Sequence, residues 1–358
     1  MLPIRVRKDL QRLGLDLQSQ SLIPQTGLSG AAVYRVGNYA IKSHPLASFD
    51  HLAILHQQQQ RWAQSVQSWI PRVWSWPSLI DSPAPTVLIA EPEPTPHPNP
   101  HSLYSCWECI DWMPGIGLET IQEITPGHQS AVAYALGTLH AIGNLHTPAH
   151  PPKNTSNGYQ HKSTDDRLTQ RYRLLQELLQ SNFQQPHRDL DRLRTQSIPE
   201  ELLAKIQTAL HSAKRIAHDS HRAIHKLATQ NPRSHWMHGD AWRGNWLFVD
   251  QSVSGLIDFS QADLRWPGFD LARALGSMIQ GPMRLWMEPW ESYCQALADR
   301  GSRPAFALEE AYDMHRVSSV LTLTRYLGEH HLFVSPNSPS INRLREVCQQ
   351  LIDGTDGY

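Results

Sequence analysis

Three oxygen-bearing side chains in this chain are spaced as a phosphate-handling site requires. Asp240 lies within His238-Gly239-Asp240-Ala241-Trp242-Arg243-Gly244-Asn245, and a second carboxylate follows in Val253-Ser254-Gly255-Leu256-Ile257-Asp258-Phe259. If Gln251 and Ser252 form the turn of a hairpin, the position numbers of every cross-strand pair share one sum, and Asn245 falls opposite Asp258. Directly opposed residues have Cβ atoms roughly 4.5–5.5 Å apart. A carboxamide and a carboxylate at that spacing can grip one hard cation such as Mg2+, and a bound cation makes such crowding of polar groups tolerable. Asp240, just upstream, is then left to orient a hydroxyl and take its proton late. The chemistry these roles describe is phosphoryl transfer, which depends on alignment and on electrostatics at the transferring group.

Other residues near these positions have competing readings. Arg243 either reaches the transferred phosphoryl or an acidic substrate group, or forms a salt bridge with a neighbouring carboxylate. His238 reads as a structural imidazole that holds the loop, and Asp270 as a helix cap that braces it. Trp246 follows Asn245 in the strand and should face the core, whereas Trp242 is placed to stack on a substrate or to fill space. Lys42 ends a strand, on the same face as Ala40, and follows a glycine-containing loop. It is the expected contact to a polyphosphate, and Gly27 and Gly30 would let backbone N–H groups approach one closely. The loop lacks G-x-x-x-x-G-K-[ST], which argues against a P-loop ATPase. Cys106-Trp107-Glu108-Cys109 has no second pair, so a buried strand is the expected setting rather than zinc or redox chemistry.

The elements that must position these groups fall into two sets. Ala32 to Val36 and Tyr39 to Lys42 flank Gly37-Asn38, a two-residue hairpin turn. A helix spans Phe49 to Val66, short strands cover Thr86 to Ala90 and Tyr104 to Trp112, and the N-terminal residues 1–20 hold a short amphipathic helix. Between those strands, residues 91–100 carry proline at nearly every second position, an extended excursion rather than helix or central strand. Beyond Gly115 the pattern is helical: Ala131 to Ile142, 164–183, 199–228, a helix starting near Asp270, then 284–299, 305–328 and 338–352. The stretch Gln184 to Ile198 reads as a looser connection. The expectation is an α+β chain with a small antiparallel-sheet lobe over 1–112, a larger helical lobe over 113–358, and a cleft between them.

Bulk properties exclude several classes. The chain has 358 residues, a formal net charge of -1 and four cysteines. No whole-molecule field steers it toward nucleic acid, and no disulfide framework exists. No apolar run reaches membrane-spanning length, so a cytoplasmic protein without a membrane span is the expected setting.

The residues His238-Gly239-Asp240 with Asn245, Ile257-Asp258-Phe259 and Asp270-Leu271-Ala272 resemble the aminoglycoside phosphotransferase and choline kinase-like superfamily. This is the small-molecule branch of the protein-kinase-like fold. Gly27 to Lys42 and Asp111-Trp112-Met113-Pro114-Gly115, which resembles the segment joining the lobes, add weaker support. The resemblance implies Mg2+-dependent transfer of the γ-phosphoryl of ATP (or GTP) to the hydroxyl of a small molecule. It also implies that backbone near Cys109, Asp111 and Trp112 contacts the adenine, Lys42 the α/β-phosphates, Asp240 the acceptor, and Asn245 with Asp258 the metal.

One departure stands out. Family members set the strand lysine with a glutamate on the following helix, yet between Lys42 and Glu91 the only acids are Asp50 and Asp81. Asp50 has a shorter reach, and Gln57 or Gln58 would orient the lysine without offsetting its charge. Two other readings therefore stand beside the small-molecule kinase: a protein serine/threonine kinase on the same scaffold, and a non-catalytic pseudokinase that binds a ligand or protein. Glu119 and Glu123 are the acids available to an amine-bearing acceptor, although each also reads as plain surface.

Overall fold

The computed structural model describes residues 2–15, 23–26, 32–45, 48–66, 68–82, 84–90, 105–145, 164–195, 198–230, 232–329 and 339–354. The proline-rich stretch 91–100, Gly27 and Gly30 lie outside them.

Helix α1 (Ile4–Arg12) precedes a five-stranded antiparallel sheet in the order β1-β2-β3-β5-β4. Its strands are β1 (Ile23–Thr26), β2 (Ala32–Val36), β3 (Tyr39–Pro45), β4 (Leu88–Ala90) and β5 (Ser105–Asp111). The β2–β3 turn rests on Gly37 at φ 59°, a left-handed conformation that costs glycine little. In the β3–β5 ladder Ile41 pairs with Cys109 and Lys42 with Glu108. Because side chains alternate along a strand, these two pairs project to opposite faces of the sheet. Ile41 and Cys109 join Val36, Trp76 and Trp107 in one core with Leu2, Val6 and Leu10 of the α1 segment. Helix α2 (Phe49–Ser65) buries Leu52, Leu55, His56, Gln59 and Trp62, one helical stripe. A short strand β6 (Ile116–Gly117) follows.

The chain then becomes helical through α3 (Pro126–Leu145), α4 (Thr164–Gln180), α5 (Gln184–Arg194) and α6 (Glu200–Gln230). Helix α5 replaces the loose connection expected there. Its proline, Pro186, sits in the first turn, where a missing N–H breaks no helical bond, and Pro186, Leu190 and Leu193 are buried together on one side. Strand β7 (His235–Met237), the hairpin β8 (Trp246–Val249) and β9 (Ser252–Leu256), and β10 (Asp263–Arg265) come next. Helices α7 (Gly268–Met278), α8 (Met287–Ala298), α9 (Leu308–Gly328) and α10 (Pro339–Asp353) complete the chain. Strands β7 and β10 pair antiparallel.

Two compact units result: residues 2–122 with 244–262, and residues 123–145 with 164–243 and 263–354. The hairpin therefore groups with the sheet, whereas a division at 112/113 assigns it to the helices. The reason is pairing: β6 hydrogen-bonds to β8, and the Leu256 amide donates to the Trp69 carbonyl at 2.9 Å. Among the described residues no helix is long and apolar enough to cross a membrane.

Candidate active site

The hairpin carries two of the three oxygen-bearing residues, and its register differs from the expected one. Its turn is Asp250-Gln251, with Asp250 at φ 53°, so it begins one residue earlier than counting suggested. Aspartate tolerates this left-handed geometry, which places the two-residue turn there. A bulge between Leu247 and Phe248 shifts the ladder back by one residue. Asn245 consequently stands across from Ile257, whose amide donates to the Asn245 carbonyl at 2.9 Å. Asp258 lies one step beyond, at φ 62° and ψ 64°. Asn245 itself is buried at the end of a 3-10 turn just before β8, not in the strand proper.

Within the same unit, Lys42 meets Asp258. Its Nζ is 3.3 Å from Asp258 Oδ1, and the Ser260 hydroxyl donates to that oxygen at 3.0 Å. The lysine side chain is only 13 % exposed. A strand lysine and a carboxylate separated by 216 positions are thus brought together. A carboxylate and a carboxamide oxygen are hard donors of the kind that could hold a divalent cation. Among the described residues no group of three or more His, Cys, Asp and Glu side chains could hold a metal by itself.

The helix glutamate missing from the sequence has no substitute on α2 that reaches Lys42. Instead α2 is fastened to the sheet by imidazole. His56 Nε2 lies 2.7 Å from Glu108 Oε2, His44 Nε2 of β3 lies 2.9 Å from Glu108 Oε1, and His56 Nδ1 meets the Thr86 hydroxyl at 2.9 Å. Burial opposes ionisation of Glu108, but the two imidazoles outweigh it, His44 foremost, and hold the carboxyl well below the usual range. Gln58 is buried without a partner for its side-chain amide, while Gln59 donates to the Pro71 carbonyl at 2.9 Å.

The segment after β5 is heavily anchored by its own chain. The Cys109 carbonyl accepts from the Trp74 amide (2.8 Å), the Asp111 amide donates to the Arg72 carbonyl (3.0 Å), and the Trp112 amide donates to the Asn38 carbonyl (2.7 Å). The Asp111 carboxylate takes the Arg72 amide and Nε and the Trp74 indole N–H. These contacts make Cys109 and Asp111 anchors of the segment, and Arg35 lies over the Trp112 ring at 4.8 Å. Cys106 and Cys109 are buried strand residues whose thiols are pushed up to about 11 and about 12, in each case chiefly by burial. Three positions apart on a strand they face opposite sides, which excludes a shared metal or a disulfide.

Asp240 belongs to the other unit. Gly239 at φ 83° supplies the left-handed step that turns the chain between His238 and Asp240. Asp270, in the first turn of α7, accepts the His238 amide at 2.8 Å and the Gly239 amide at 2.9 Å. The brace continues through His140, whose Nε2 is 3.4 Å from Asp270 and whose Nδ1 meets the Tyr293 hydroxyl at 2.9 Å. Burial, then the Asp270 charge, pushes the Tyr293 phenol well above its ordinary value, so it remains a neutral hydrogen-bonding group. His238 is fully buried and its Nδ1 accepts the Asp240 amide at 3.3 Å, a structural role. The Asp240 carboxylate is 32 % exposed and receives Nε of Arg273 at 3.0 Å.

Arg243 resolves toward the salt bridge. Its Nη2 lies 2.6 Å from Glu346 Oε1 of α10, its Nη1 donates to the Ser277 carbonyl, and its amide donates to the Ser277 hydroxyl. Trp246 is fully buried, as alternation predicted. Glu119 and Glu123 are exposed.

The profile of the phosphotransferase enzyme family matches residues 78–312, which include all of these loops and every residue of the Asp240, Asn245 and Asp258 set. The chain belongs to the phosphotransferase enzyme family. This phosphotransferase also has close likenesses in fold among solved structures. It is similar to spectinomycin phosphotransferase APH(9)-Ia, a structure in complex with ADP and spectinomycin, at TM-score 0.61 and 14% identity over 99% of each chain. It is similar to the amicoumacin kinase hAmiN, solved with AMP-PNP, Ca2+ and its antibiotic, at TM-score 0.56 and 12% identity over 97% of this chain and 93% of that one. An aminoglycoside phosphotransferase from Alicyclobacillus acidocaldarius gives TM-score 0.55 and 16% identity over 94% and 91%. No curated protein matches the chain in sequence. Its α+β fold is the one these solved structures share.

Sequence reasoning missed Glu108, His44 and His56, because a histidine on a helix and a glutamate between two cysteines signal nothing until the ladder aligns them. Arg273 carried a readable signal: Asp270 and Arg273 lie three apart, hence on adjoining faces of one helix end.

Proposed function

We propose that this phosphotransferase moves the γ-phosphoryl of ATP or GTP onto a hydroxyl of a small molecule, with Mg2+ as the metal. The observation that carries the reading is the approach of Lys42 Nζ to Asp258 Oδ1 at 3.3 Å, beside the buried Asn245. A fixed cation next to an oxygen donor set is what a polyphosphate with its metal needs. Lys42 binds the α/β-phosphates, and Asn245 with Asp258 would hold the metal, which would neutralise charge on the phosphate oxygens. Asp240 orients the acceptor hydroxyl and takes its proton on a carboxylate oxygen as the new P–O bond forms and the γ-phosphoryl's bond to the β–γ bridging oxygen breaks, releasing the nucleoside diphosphate. Asp240 and Asn245 are five positions apart, so their Cα atoms lie within about 18 Å even in a fully extended chain.

Arg243, drawn to Glu346, orders the end of the loop rather than the phosphoryl group. Backbone recognition of the base falls beyond the anchored amides of Asp111 and Trp112, at Met113. The setting is cytoplasmic, where ATP and Mg2+ are abundant. Titration with ATP and GTP, with and without Mg2+, tests the reading. Nucleotide binding that needs Mg2+ and is lost in D258A supports it; binding unchanged by either overturns it.

A further inference from the structure

Among the described residues, several arginines gather near Asp240. Arg273 holds the Asp240 carboxylate with Nε and lies 6.0 Å from the centroid of the Trp242 ring. Its two Nη groups have no partner among the described residues, and 44 % of the side chain is exposed. Arg265 of β10 donates Nη1 to the Gly239 carbonyl at 3.3 Å and approaches Asp263 at 3.7 Å. From α4, Arg167 reaches Asp263 at 3.3 Å, while Arg171 lies over the Phe269 ring at 5.0 Å and donates to the Ser318 hydroxyl at 2.7 Å.

Four guanidiniums thus share the surroundings of Asp240 and Asp263. Asp270, another described acid of this unit, is turned inward onto two backbone amides. Glu346 does not redress the balance, since it already serves both Arg243 (2.6 Å) and Arg343 (2.7 Å). The crowding registers on Arg171, whose guanidinium is pushed down to about 10 by burial and then by Arg167, Arg273 and Arg265. Like charges held together against desolvation are stabilised by an anion placed among them, and a forked guanidinium suits carboxylate and phosphate oxygens best.

We infer that the phosphoryl acceptor carries a negative group of its own, a carboxylate or phosphate on the same molecule as the hydroxyl, and that Arg273 and Arg171 receive it. This rests on the reading of Asp240 as the residue that orients the acceptor. Arg273 then links the two ends of the substrate: Nε fixes Asp240, and the outer Nη edge takes the anion. An amine-bearing acceptor would add a cation to a site already rich in them.

The test uses one sugar frame with three charges: glucose, glucuronate and glucosamine. Thermal shift of the full chain and of R273Q is followed with each sugar, and phosphorylation of each by Mg2+-ATP is measured alongside. Arg273 is half exposed, so R273Q leaves the packing of α7 intact. Glucuronate is expected to bind about tenfold more tightly than glucose, a difference of about 1.4 kcal/mol, with glucosamine weakest. R273Q is expected to erase that order. A preference for glucosamine, or no difference among the three, overturns the inference. Loss of Mg2+-ATP binding in the same preparation overturns the phosphotransfer reading instead, while the order of the sugars still decides the anion site.

Discussion

Lys42 and Glu108 stand directly across from each other in the β3–β5 ladder, yet their charges go to different partners. Glu108 is taken by His44 and His56, and Lys42 reaches Asp258. Opposed side chains lie about 4.5–5.5 Å apart at Cβ, so a carboxylate without its imidazoles would capture the lysine. The two histidines keep Lys42 directed at Asp258 while tying α2 to the sheet. Substituting both, H44Q with H56Q, is expected to raise the KM for ATP about tenfold, and adding E108Q is expected to restore it. Steady-state kinetics of the double and triple variants check this. Each imidazole contact removed from the buried carboxylate also destabilises the fold, by about 1.5–3 kcal/mol.

The separation of roles between Asp240 and Asp258 is open to direct test. D240N keeps the shape of the side chain but cannot take a proton, so nucleotide affinity should persist while turnover falls on the order of 10²–10⁴-fold. D258A should weaken Mg2+-nucleotide binding itself. Calorimetric titration beside a turnover assay separates the two, and full turnover in D240N with a verified acceptor would falsify its role.

Asp270 is expected to govern the loop from behind. D270A leaves the His238 and Gly239 amides without their acceptor, at a cost of about 1–3 kcal/mol for each buried group. Its melting temperature should fall and its turnover decline with nucleotide affinity unchanged. D270N, which keeps a carbonyl oxygen, should recover part of both.

Acid should weaken the fold in two steps. Burial, then His140 and Arg233, pushes His235 down to about 4. Its folded value lies below its unfolded one, so between pH ~6.5 and ~4 the unfolded chain binds a proton the native one refuses. Stability is then lost at about 1.4 kcal/mol per pH unit as pH falls. Glu108, held well below the carboxylate range, adds a second loss only beneath pH ~4.3, as pH falls toward its folded value. Urea unfolding at pH 7, 6 and 5 should show the first slope, and H235Q should flatten it.

The sequence carried its local chemistry plainly and its long-range pairings hardly at all. Helices α2 and α6 follow the apolar period, and Gly37-Asn38 marks its turn because few other dipeptides accept that twist. Asp240, Asn245 and Asp258 stood out as candidates because their spacing is short. The hairpin register was not, since a bulge leaves no mark in the alternation of Phe248, Val253 and their neighbours. Helix α5 was hidden by Pro186, whose meaning depends on which turn it occupies. The links from Arg273 to Asp240, Arg243 to Glu346 and His56 to Glu108 join residues 33 to 103 positions apart. Charge pairing across such distances is decided by packing, not by any periodicity in the chain.

Asp258 sits at a left-handed backbone angle that an L-residue adopts only at a cost of about 1–2 kcal/mol. Glycine there would relax the turn, and asparagine would tolerate it without charge. Directed evolution for heat resistance alone should therefore discard this aspartate early. A thermostabilised descendant bearing glycine at 258 would be a hardier protein that had forgotten its trade.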